Sequence, residues 1–82
     1  MRDLRITDST PWHLDVELEG RAARIPADAS TSGQPPDFLV YLFSGQVWAD
    51  GGAMDELDQA AIAQSLPAVA ADLGWTVKVL TA

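Results

Sequence analysis

The chain has 82 residues, room for one hydrophobic core, and a domain of this size buries only about 60–65% of its unfolded surface for a net stability near ~5 kcal/mol. Twelve Asp and Glu against five Lys and Arg give a net charge of −7, which repels phosphate backbones and anionic headgroups and argues against nucleic acid or membrane surfaces as partners. No cysteine is present, so disulfide staples and thiolate metal sites are excluded, and an apolar share of 48% with three Trp, two Phe and one Tyr excludes a natively disordered chain.

Charged Arg2, Asp3 and Arg5 stand where a signal peptide needs an unbroken apolar stretch, and no run approaches the ~18 residues that span a bilayer. A single soluble, cytoplasmic domain over residues 1–82 is expected. Leu4 and Ile6 alternate with Arg5 as a short first strand, which Asp8, Ser9, Thr10 and Pro11 should end in a turn. Residues 12–19 alternate strictly: a strand there puts Trp12, Leu14, Val16 and Leu18 on the core face and His13, Asp15, Glu17 and Glu19 in water. Gly20 permits a tight reversal, and residues 21–25 return as the hairpin partner as far as Pro26.

Residues 27–37, rich in Ser, Gly, Pro and Asp, lack periodicity and read as a mobile loop. Residues 38–43 are an aromatic and branched run, suited to a central strand or to an edge covered by another chain. Ser44 and Gly45 turn it into a further short strand at Gln46, Val47, Trp48 and Ala49, broken by Asp50, Gly51 and Gly52. Asp55 can cap a helix whose first turn gains from Glu56 and Asp58. Ile62, Leu66, Val69 and Leu73 form one stripe on that helix, with Pro67 away from the stripe, either bending the helix or splitting it in two. Gly74 ends it, and residues 75–80 read as a last strand. The expected fold is α+β, a mainly antiparallel sheet of five to six short strands against one helix, in the order β-β-β-β-β-α-β.

The residues that could carry chemistry are few. His13, the sole histidine, has Asp15 two positions on, yet no second His and no Cys completes a nucleophile and base arrangement, so a surface histidine is the simpler reading. Asp50, Asp55, Glu56 and Asp58 lack the order of a calcium loop and are explained by helix capping. Gly51 and Gly52 precede a helix as in phosphate-cradling loops, but no Lys and Ser/Thr pair follows and the surrounding acids repel phosphate. No cofactor or metal is expected, and no enzyme. Asp15, Glu17 and Glu19 make a row of negative charge that Arg21 or Arg24 would neutralise across the hairpin; left open, it becomes a docking strip for a basic partner. Trp48 and Trp75 are each either core or exposed anchors, and an exposed Trp48 beside acids would suit a binding hot spot.

The leading strand with Leu4 and Ile6, the hairpin closed near Gly20, Phe38 and Tyr41 in an aromatic strand, Trp48 after it, and a helix leading through Gly74 into a terminal strand together resemble family 74 of the small α+β immunity proteins of bacterial polymorphic toxin systems. The resemblance spans nearly the whole chain. It implies a protein that binds and neutralises a cognate toxin domain inside the producing cell by stoichiometric contact, as monomer or weak dimer. Partner contacts are then expected at Asp15, Glu17, Glu19, Trp48, Asp50, Asp55, Glu56 and Asp58. The alternative is a small accessory or regulatory domain that associates through a sheet edge, with residues 38–43 supplying the contact. A small enzyme using His13 and a carboxylate ranks third.

Overall fold

The computed structural model describes residues 3–30 and 33–81. Met1 and Arg2, on which the reading of the chain start partly rests, and Thr31 and Ser32 of the expected loop lie outside these. Five strands and one helix follow the order β1 (Leu4–Thr10), β2 (His13–Leu18), β3 (Arg21–Ala29), β4 (Phe38–Leu42), α1 (Glu56–Asp72) and β5 (Val77–Thr81). The strands lie in sequence order, β1 to β4 antiparallel, with β5 added parallel to β4 through the helical crossover. This is the α+β sheet-and-helix architecture the periodicities predict, with one strand fewer.

The missing strand is the segment at Gln46–Ala49, which contributes only an isolated bridge between Val47 and Ala53. Its polar groups go to the free edge of β3 instead: Ala49 N donates to Ala22 O at 2.8 Å, and the side-chain Nε2 of Gln46 donates to Arg24 O at 3.1 Å. β3 itself runs three residues past Pro26, because Ala27, Asp28 and Ala29 pair with β4 on one side while Ala27 N and Ala29 N donate to Trp12 O and Pro11 O on the other. The start of the expected loop is therefore strand. β4 is central, between β3 and β5, and cannot supply the edge contact foreseen for residues 38–43.

β1 also runs longer than predicted, through a bulge between Ile6 and Asp8 to Thr10, which pairs with His13. Pro11 and Trp12 then form the turn between paired strands. A residue in that turn stands outside the pleat, so Trp12 is 74% exposed instead of facing the core. The β2–β3 reversal is as expected: Glu19 (φ 52°) and Gly20 (φ 85°) both take the left-handed conformation that the tightest two-residue hairpins require.

Leu14, Val16, Leu18, Ile25, Val40 and Leu42 line the inner face and pack against Ile62, Leu66 and Ala70 of α1. The helix is one piece. Asp55 caps it by accepting from Asp58 N at 2.8 Å, and Pro67 sits exposed within it. Gly74 N donates to Ala71 O and Trp75 N to Ala70 O, the paired bonds of a Schellman ending, with Gly74 at φ 82°. Leu73, predicted on the apolar stripe, is instead the cap residue and half exposed, and Ala70 takes the buried place. One face of the sheet is thus covered by α1, and the other is left open. No described helix is long and apolar enough to cross a membrane.

Candidate protein-binding surface

The crossover from β4 to α1, residues 43–55, is irregular yet tightly held. Gln46 and Trp48, two residues apart, both turn inward, and Trp48 is only 2% exposed. The Arg21 guanidinium lies 4.7 Å over the Trp48 ring and grips both Asp50 carboxylate oxygens at 3.1 and 3.2 Å. That pairing, aided by Gly52 N donating to Asp50 Oδ1 at 2.7 Å, holds the Asp50 carboxyl below the usual carboxylate range. Both glycines have a structural reason here: Gly51 needs its φ of 90°, and a Cβ on Gly52 would collide with Arg21. Trp48 is therefore part of the core, and it does not serve as the exposed anchor the sequence allowed.

Anchors of another kind occur on this crossover and on the first turn of α1. Phe43 is 41% exposed, Val47 47% and Leu57 78%. Around them in the chain come Asp50, the cap Asp55, and Glu56 and Asp58 in the first helical turn, where the positive end of the helix dipole stabilises them. The last turn carries no basic residue. Residues 50–58 hold four carboxylates, and Arg21 is the cation paired with the first of them. The sequence reading reached Phe43 only as part of a 38–43 edge contact and did not single out Val47 or Leu57, because their apolar character matches core residues and only the tertiary packing leaves them outside.

The acidic row on β2 is interrupted. Asp15, on the open face, is bonded by Arg24 through Nε at 3.0 Å and Nη2 at 3.4 Å, which raises the guanidinium pKa above its usual value. Glu17 faces Arg5 across the β1–β2 register. Glu19 has left the strand for the turn. Cross-strand pairing thus neutralises Asp15, as the hairpin allowed, while the Arg5 guanidinium opposite Glu17 lies 3.6 Å from Asp3 Oδ2, so the three carboxylates do not form one uniform strip.

His13 lies on the same face. Thr10 Oγ1 accepts from Trp12 N and His13 N, each at 3.2 Å, so its own proton is free for His13 Nδ1 at 3.2 Å. His13 Nε2 in turn stands 3.7 Å from Asp15. The hydroxyl, imidazole, carboxylate and guanidinium form a chain that ties the β1–β2 turn to β3. Among the described residues no group of three or more His, Asp or Glu is placed to hold a metal.

The arrangement defines an α+β domain with an acidic, apolar-studded crossover loop beside an open sheet face. Comparison with protein-family models, with curated proteins and with solved structures finds no match for this chain.

Proposed function

We propose that this chain is a stoichiometric inhibitor, an immunity protein that neutralises a cognate bacterial toxin domain in the cytoplasm of the producing cell by covering a basic active surface. The observation that carries this reading is the crossover together with the first turn of α1: exposed Phe43 and Val47 on the loop and exposed Leu57 on the helix, with the cap Asp55, Glu56 and Asp58, and the loop braced by the Arg21, Trp48 and Asp50 contacts. Exposed apolar anchors supply affinity when desolvated in a partner's pocket, and the carboxylates speed the approach of a basic partner. The brace limits the ordering entropy that binding would otherwise cost. The resemblance to toxin-immunity proteins supplies the class of partner.

The test is co-purification and calorimetry with the toxin domain of a larger protein encoded beside this chain. A one-to-one complex weakened about tenfold or more by Leu57→Ala, and slowed in association by Asp55→Asn with Glu56→Gln at low salt, is expected. No complex, or turnover of a substrate by the purified chain that His13→Ala abolishes, would reject the reading.

A further inference from the structure

The two sheet edges are not equally protected. β1 is interrupted by its bulge between Ile6 and Asp8 and carries Arg5 and Asp8, the devices that discourage edge-to-edge pairing. β5 has neither proline nor bulge and a single charge, the exposed Lys78; it pairs in unbroken register with β4 over all five residues, and no described strand lies on its outer side. Its apolar row is also incompletely covered: Val77 and Val79 on the helix side are half-buried, as is Trp75, whose ring meets Phe38 at 5.4 Å, and Leu80 on the open side is 37% exposed.

We propose that β5 is a self-association edge, joining two copies of this chain through an antiparallel β5–β5 pair centred on Val79. The register follows from charge and pleat. A two-fold at Lys78 would set Lys78 against Lys78 of the other copy, and a pairing shifted by one residue would place inner-face residues opposite outer-face ones. Centring on Val79 sets Val79 against Val79 and Val77 against Thr81 on the helix side, and Lys78 against Leu80 twice on the open side. All five residues then pair with no like charges directly opposed, and the aliphatic stem of each Lys78 covers a Leu80. Five paired residues make a small interface, below about 1,200 Å² in total, the size of weak and reversible contacts. Each copy carries a charge of −7, so added salt strengthens the pair by screening. That response is opposite to the salt weakening expected for a basic partner at the crossover, and the two associations can fail independently.

Sedimentation over a concentration series up to about 1 mM, at low and high salt, tests this. The expected result is a mass rising from 8.8 kDa toward twice that value, more fully at high salt. Leu80→Lys, which places Lys opposite Lys78 of the other copy at an exposed position, should hold the chain monomeric with an unchanged circular dichroism spectrum. Val79→Cys, the chain's only thiol, should give a covalent dimer with an oxidant or a short bis-thiol linker. Lys78→Cys and Leu80→Cys should cross-link efficiently only when mixed. A chain monomeric at every concentration and salt, a dimer that survives Leu80→Lys, or cross-linking at Arg5→Cys in place of Val79→Cys would overturn the proposal.

Discussion

Two tryptophans that look alike in the sequence should respond in opposite ways to truncation. Trp48 is 2% exposed and Trp12 is 74% exposed. A buried Trp removes roughly 150–250 Å² from water, worth about 4–6 kcal/mol at ~25 cal/mol per Å². Trp48→Ala keeps the Cβ and relaxes part of the cavity, so a loss of about 3–5 kcal/mol is expected, most of the stability of a domain this size. At about 4 °C or more per kcal/mol, the melting temperature should fall by at least about 12 °C. Trp48→Phe keeps most of the apolar area, and the indole Nε1 it removes makes no hydrogen bond within the described chain, so it should cost only about 1–2 kcal/mol. Trp12→Ala should stay within about 0.5 kcal/mol, or about 4 °C. Thermal melts by circular dichroism read all three. A Trp48→Ala protein that melts within 4 °C of the parent, or a Trp12→Ala protein that loses more than Trp48→Ala, would refute the assignment of Trp48 to the core.

Further outcomes can be checked on the same instrument. The Asp50 carboxyl is depressed by Arg21, so its contribution is present above the ordinary carboxylate pKa of about 4 and is lost as the pH falls through its lowered folded value. Asp50→Asn should therefore be less stable than the parent at neutral pH, with the two melting curves converging as the pH falls below the ordinary carboxylate range. Pro67 lies exposed inside α1 and cannot donate to Ala63 O, so Pro67→Ala should stabilise by about 1 kcal/mol or more, seen as a raised urea midpoint at unchanged slope. Glu19 takes φ 52° in a reversal that favours Asn before Gly, and Glu19→Asn should add about 0.5–1 kcal/mol. A destabilised Glu19→Asn protein would mean that other contacts of Glu19 outweigh its backbone strain.

Local signals were sufficient wherever one period and one punctuation mark agreed. The alternation from Leu14 to Leu18 produced β2, Gly20 the hairpin, Asp55 and Gly74 the two ends of α1, and Ile62 and Leu66 its buried stripe. Each of these depends on neighbours within a few residues, so the chain carries the information locally. The pairing of Asp15 with Arg24 was also among the readings the hairpin allowed, since cross-strand register brings those positions together.

Other features were decided only by elements distant in the chain. Alternation put Trp12 inward, but the bulge in β1 and the length of β1–β2 pairing set where the turn falls, and that turn carries Trp12 out to solvent. Gln46 to Ala49 has strand composition, yet the free edge of β3 was available to its polar groups and Trp48 was drawn under Arg21, so a braced loop won over a sixth strand. The exposure of Phe43, Val47 and Leu57 is likewise set by placement: Phe43 and Val47 fall in the loop after β4, and Leu57 lies in the first turn of α1 away from the buried Ile62, Leu66 and Ala70. Sequence patterning states which residues prefer burial; which apolar groups are left in a loop or on a helix's outer side is decided by the assembled fold, and those are the groups that remain for a partner.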